Sequence, residues 1–208
     1  MQNDWAAENL QTIRTLMERA ALYRRALAPL MTAVGITGVV GAVIGHFMRL
    51  ETPRAFVGLW MAVSAVALVE GFVIVRRQAL KEGEPLWSAP TRRVGQAIMP
   101  AFFAGFVVGI PFLATETNNL LAAWLLVPAW MVFYGCALHA AGFFMSRGVK
   151  LFGWAFVLSG CVFAFLGIYL PQRPLLPCAN WAMGGFFGGA HLAYGIYLYF
   201  TERNRNAA

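Results

Sequence analysis

Long apolar stretches alternate with short polar segments along most of the chain. About 20 apolar residues in an α-helix cross the roughly 30 Å hydrocarbon core of a bilayer. The pattern predicts six membrane-spanning helices, at residues 26–48, 55–75, 94–113, 120–145, 151–170 and 181–200. In this interpretation residues 26–200 form one all-α, six-helix transmembrane bundle, and residues 201–208 form a short cytoplasmic tail.

The first 25 residues have a different pattern. Apolar residues such as Leu10, Ile13 and Met17 recur at three- and four-residue spacing, with charged residues between them. This periodicity predicts an amphipathic helix in residues 1–25. Such a helix lies on the cytoplasmic membrane surface or docks a partner protein, and the pattern is open to both interpretations.

Composition agrees with a membrane protein. The 208 residues are 60% hydrophobic and 12% charged, and mean hydropathy is +0.63. These values lie outside the usual range of soluble globular proteins. The net charge of +7 comes from residues beside the apolar spans, where they meet lipid headgroups, so we expect the bilayer as the partner and no nucleic acid.

The basic residues also predict the orientation. Thirteen of the 16 Lys and Arg residues fall in the N-terminal segment, the second and fourth loops and the C-terminal tail. Cytoplasmic loops carry such an excess, so both termini are predicted to be cytoplasmic. The second loop holds five of them: Arg76, Arg77, Lys81, Arg92 and Arg93.

Glycines within the spans predict close helix packing. Small residues four apart make a groove in which a second helix backbone approaches closely. Such pairs are Gly41 with Gly45, Gly105 with Gly109, Gly184 with Gly188, and Gly185 with Gly189. Glycines seven apart occur in spans four, five and six. This period keeps the glycines facing one neighbouring helix in a left-handed supercoil. Intramolecular packing and a homodimer remain alternatives.

Polar residues inside the spans are the candidate functional residues. Glu70 is the one acid within a span, about 9 Å from the cytoplasmic boundary at ~1.5 Å per residue. His139 and His191 fall at about 10 and 13 Å by the same count, and Gln96 enters span three near that surface. Similar depths predict one polar cluster in the cytoplasmic half of the bundle.

A buried carboxyl beside an imidazole relays protons, binds a metal or holds a cationic ligand, or else it only fixes helix packing. Two histidines at unequal depth are a poor pair of haem ligands. Cys136 lies one turn before His139 and is the only added ligand that zinc would find there. We therefore predict no metal and no cofactor, and no motif of a hydrolase or nucleotide-binding enzyme occurs in the sequence.

Three segments, at residues 16–29, 87–93 and 130–142, resemble a family of uncharacterised bacterial six-span inner-membrane proteins. The resemblance implies a bacterial cytoplasmic membrane and the same six-span plan. It implies no catalytic residue.

Three functional hypotheses follow. The first is a non-enzymatic membrane scaffold or regulatory module that acts on a membrane or cytoplasmic protein partner through its cytoplasmic face. The second is a small-molecule or proton-coupled transporter that uses Glu70 and His139. The third is a haem or redox membrane subunit.

Overall fold

The computed structural model of the protein describes residues 26–81, 83, 85–114, 119–169 and 176–206. All regular structure in these residues is helical, which confirms the predicted all-α class. The helices are α1 (Ala26–Phe47), α2 (Pro53–Lys81), α3 (Ala89–Ala114), α4 (Leu120–Ala141), α5 (Arg147–Tyr169), α6 (Leu176–Met183), a π-helical segment (Gly184–Ala190) and α7 (His191–Asn206). The amphipathic helix predicted for residues 1–25 lies outside the described residues.

Five helices, α1 to α5, are long and apolar enough to cross a membrane, as expected for a multi-pass membrane protein. The last predicted span, residues 181–200, falls within one continuous helical run from Leu176 to Asn206. This run consists of α6, the π-helical segment and α7, and none of the three alone has the length of the other five helices. We call it the C-terminal helix.

Helix ends follow local sequence signals. Thr52 accepts a hydrogen bond from the Ala55 amide through its hydroxyl, and Pro53 takes the first position of α2, where its missing N–H costs nothing. Asn119 caps α4 by accepting from the Ala122 amide. After α1, Arg49 adopts a left-handed backbone with φ of 49°, which lets the Leu50 amide reach the Gly45 carbonyl and end the helix.

Two helices are longer than their apolar spans. α2 continues to Lys81 and α3 begins at Ala89, so the basic residues of the second loop lie on helix ends rather than in an irregular loop. Hydropathy marks where a helix leaves the hydrocarbon, not where it stops. The residues after Arg77 are good helix formers, and they continue α2 beyond that boundary.

α1 and the C-terminal helix pack backbone to backbone. A methyl group on Gly38 would lie 2.6 Å from the Phe187 carbonyl oxygen, and one on Gly188 would lie 2.6 Å from the Val39 nitrogen. The contacts run from Gly195 beside Ala28 to Asn180 beside Gly45, so the two helices are antiparallel. Only glycine permits this approach at the crossing.

α4 and α5 form a second seam of the same kind. A methyl group on Gly135 would lie 2.6 Å from the Gly153 carbonyl oxygen, and one on Gly160 would lie 3.0 Å from the Pro128 carbonyl oxygen. Gly142 meets the backbone of Lys150 at the end of the hairpin. Glycines seven apart therefore lie along this seam, where the two backbones approach.

The glycine pairs singled out in the sequence have mixed surroundings. Gly41 faces the Val63 side chain, and Gly45 faces the Asn180 and Leu59 side chains. Gly184 meets Ala42 of α1, and Gly188 lies at the backbone crossing. Gly105 and Gly109 meet the Trp130 ring at ordinary contact distances. Spacing predicts that such residues face a neighbour, but it does not predict whether backbone or side chain lies opposite.

The main apolar core lies between α2, α4, α5 and the C-terminal helix. Its fully buried side chains include Phe56, Met131 and Phe156. α3 packs on α4, where the Trp130 indole donates to the Gly105 carbonyl, but only 6% of its most apolar stretch is buried, against 44% for α4. Hydrocarbon chains of the bilayer are as apolar as leucine, so an exposed apolar face on a membrane-crossing helix has no solvation penalty.

Candidate functional site

Glu70 lies on α2 and faces α1. The Thr37 hydroxyl on α1 donates a hydrogen bond of 2.6 Å to Oε1 of this carboxyl. The second oxygen, Oε2, is buried and has no hydrogen-bond partner among the described residues. An unpaired buried carboxyl oxygen costs free energy, and Glu70 is the one acid among the described groups with such an atom.

Glu70 also helps to line a groove of about 420 Å³. Its described lining consists of Glu70 and five aliphatic side chains of α2: Ala65, Val66, Val69, Val73 and Ile74. These positions recur every three to four residues and therefore share one face of the helix. From Ala65 to Ile74 the groove follows α2 for about 13 Å.

Glu70 has no charged partner among the side chains described on α1, α2 and α3. The titratable side chains described on α1, α2 and α3 are His46, Arg54, Arg76, Arg77, Lys81, Arg92 and Arg93. None of them forms an ion pair or hydrogen bond with Glu70 in the part of the chain that the structure covers. Arg76 is six residues away, about 9 Å along the helix axis.

His191 has a different environment, in the core beside the π-helical segment. Its side chain is fully buried, and Nε2 lies 2.6 Å from the Tyr134 hydroxyl. Nδ1 lies 3.4 Å from the Phe186 carbonyl oxygen. A carbonyl only accepts, so Nδ1 carries the proton and Nε2 accepts from Tyr134. Both nitrogens are occupied, which leaves none free for a haem iron.

The widened turn of the π-helical segment contributes to this arrangement. π-Helical turns are rare and occur often at functional sites. This segment, Gly184–Ala190, contains four glycines, and it brings the Phe186 carbonyl beneath the His191 ring. Phe152 and Phe156 of α5 meet the ring edge to face, so the imidazole is enclosed by aromatic carbon.

His139 lies on the α4–α5 seam. Its ring makes edge-to-face contacts with Phe143 and Trp154, at centroid distances of 5.3 and 5.5 Å. Nδ1 is buried and has no partner among the described residues. The fourth candidate, Gln96, is exposed on α3.

The structure therefore gives the four predicted site residues separate surroundings. Glu70 bonds to α1, His191 bonds to Tyr134 of α4, and His139 packs against α5. No hydrogen bond joins any two of the four within the described ranges. Depth along a helix follows from counting residues, but the direction in which a side chain faces around the bundle does not.

A buried polar pair was not identified from the sequence. The Trp60 indole donates a hydrogen bond of 2.9 Å to Oδ1 of Asn180, whose side chain is fully buried. The pair joins α2 to α6 beside Gly45 of α1. Asn180 immediately precedes the predicted sixth span, and its polarity at the edge of an apolar run was the available signal.

The remaining candidates are dispersed. Across the described residues no three His, Cys, Asp or Glu side chains come together. The three cysteines, Cys136, Cys161 and Cys178, are free thiols on exposed faces. All five basic residues of the α2–α3 hairpin are exposed: Arg76, Arg77, Lys81, Arg92 and Arg93.

No protein-family model, no curated protein and no solved structure matches this chain.

Proposed function

We propose that the protein is a six-span protein of the bacterial cytoplasmic membrane with both termini in the cytoplasm. The antiparallel contact between α1 and the C-terminal helix supports a sixth crossing. It extends from Ala28 to Gly45, a stretch of α1 about 25 Å long, which approaches the thickness of the hydrocarbon core. The distribution of Lys and Arg supports the orientation, and the resemblance in sequence supports the bacterial membrane.

We propose further that the protein is a small transporter in which the Glu70 carboxyl binds a proton and a substrate in turn. The observation that carries this proposal is Oε2 of Glu70, which is buried without a partner among the described residues, on a side chain that helps to line an apolar groove. An ionisable residue within a span commonly marks a substrate or proton pathway. Thr37 bonds to one carboxyl oxygen and leaves the other without a described partner.

The packing of the helices supports the same function. Alternating access needs one group of helices to move against another. α1 with the C-terminal helix and α4 with α5 are joined through glycine seams, whereas α3 buries little of its surface. α3 packs mainly on α4, where the Trp130 indole donates a hydrogen bond to the Gly105 carbonyl, and α2, with Glu70, packs less extensively on α3. A change in the packing of α2 would open or close the groove.

The test uses proteoliposomes adsorbed on a solid-supported membrane. A step in pH loads or empties a titrating carboxyl within the membrane and produces a transient current. We expect the wild type to give this current and Glu70→Gln to lose it, because the amide cannot exchange a proton. Glu51→Gln is the matched control, since Glu51 is an exposed acid in the connection between α1 and α2. A current that survives in Glu70→Gln contradicts the proposal.

The α2–α3 hairpin favours a second candidate function, a scaffold that holds a partner at the cytoplasmic face. Trp87 is 70% exposed and Leu80 is 69% exposed, amid five cations that form no ion pair among the described residues. Such a tip suits a partner with an acidic surface and an apolar centre. The same measurement separates the two candidates, because a scaffold gives no current that depends on Glu70.

A further inference from the structure

The groove lined by Glu70 follows α2, is aliphatic apart from that residue in its described lining, and is open to one side. Val66 and Val69 are 50% and 62% exposed, so this wall of α2 faces the bilayer laterally. A molecule dissolved in the cytoplasmic leaflet therefore reaches the groove without passing through water. An elongated apolar body fits along the 13 Å (about nine residues of helix) between Ala65 and Ile74.

The apolar body of a ligand gains little by entering the groove. Lipid tails are as apolar as the valine and isoleucine side chains of the wall, so moving a hydrocarbon chain from lipid to groove releases almost no hydrophobic free energy. Selectivity must come from the head of the ligand. Glu70 is the one polar residue in the described lining, and its Oε2 has no hydrogen-bond partner among the described residues.

The carboxyl favours a head that carries positive charge and N–H donors. An ion pair is strong in a medium of low dielectric constant, and a charge-assisted hydrogen bond is shorter and stronger than a neutral one. A divalent metal ion would need several oxygen ligands, and only Glu70 and Thr37 offer oxygen side chains here. A protonated primary amine matches one unpaired oxygen.

We infer that this groove binds a single-chain amphiphile with a protonated amine head, which enters from the cytoplasmic leaflet. The inference builds on the proposed transport function because it names the class of substrate that competes with the proton at Glu70. It applies equally to the protein as a binding site without transport.

The experiment measures equilibrium binding of radiolabelled dodecylamine to the full chain in nanodiscs of zwitterionic lipid, with protein-free nanodiscs for partitioning into lipid. We expect saturable binding in the wild type and a dissociation constant at least about 30-fold higher in Glu70→Gln, as for the loss of one member of a buried charge pair. Dodecanol has the same tail without the charge, and we expect no saturable binding.

A second pair of variants guards against misfolding of Glu70→Gln. Val69→Trp places a large ring in the groove from an exposed position, so we expect it to block binding. Leu68→Trp is its control, because Leu68 is 54% exposed and does not line the groove. Equal binding of dodecanol and dodecylamine, or equal effects of the two tryptophan variants, would overturn the inference.

The outcomes distinguish the inference from the function on which it builds. Dodecylamine binding that depends on Glu70, without a current after a pH step, supports the ligand class and contradicts transport. A current that depends on Glu70, without saturable dodecylamine binding, supports transport and contradicts the ligand class.

Discussion

At the scale of single residues, the protein contains two kinds of buried polar group. Two hydrogen bonds in the core join helices: Trp60 with Asn180, and Tyr134 with His191. Glu70 is the acid among the groups that keep a buried atom without a partner in the described residues, a set that also includes Nδ1 of His139 and Nδ2 of Asn180. Since an unpaired buried polar atom costs free energy, paired groups are expected to stabilise the fold, whereas Glu70 is expected to serve a ligand or a proton.

Removal of the Tyr134 hydroxyl tests the structural group. Tyr134→Phe keeps the aromatic contacts but leaves Nε2 of the buried His191 without a donor. We expect the free energy of unfolding in detergent to fall by about 1–3 kcal/mol. Tyr199→Phe is the control, because Tyr199 is 57% exposed and has no hydrogen bond among the described residues. Equal stability of the two variants would show that the Tyr134–His191 bond contributes nothing.

At the scale of elements, the positions of glycines determine which helix backbones pack closely together. The C-terminal helix contains two overlapping glycine pairs with different surroundings. Gly184 and Gly188 meet α1, whereas a methyl group on Gly185 would meet nothing within 4 Å. The pair Gly184 and Gly188 and the pair Gly185 and Gly189 have the same four-residue spacing, so spacing alone could not identify the pair that packs on α1.

Alanine substitutions at adjacent glycines test this assignment. Gly188→Ala forces a methyl group against the Val39 backbone, and we expect the free energy of unfolding to fall by about 1–3 kcal/mol. Gly185→Ala adds a methyl group in open space and removes the flexibility of glycine, so we expect no loss and a gain of up to about 1 kcal/mol. Unfolding in detergent measures both. A larger loss in Gly185→Ala would mean that the other face is the packed one.

At the scale of the whole molecule, the sequence predicts where a residue lies along its helix better than it predicts which neighbouring helix its side chain faces. Apolar runs predicted the five long helices, because the length of a helix and the thickness of a bilayer are fixed quantities. The depth of Glu70 in the bilayer stays a prediction. The partner of Glu70 was not predicted, since Thr37 is one of several polar residues at unknown angles around the bundle. The pairing of α1 with the C-terminal helix likewise depends on a contact between residues far apart in sequence.

The chain's own cysteines and the hairpin tip give the most direct test of this architecture. In cells, a membrane-impermeant maleimide is applied to one variant that retains only Cys178 and to another that has only an introduced thiol at Trp87. We predict that Cys178 is labelled in intact cells, because the proposed orientation places this end of the C-terminal helix outside, and that position 87 is labelled only after lysis. Labelling of position 87 from outside intact cells would contradict the orientation, the depth of Glu70 and the entry of its ligand from the cytoplasmic leaflet.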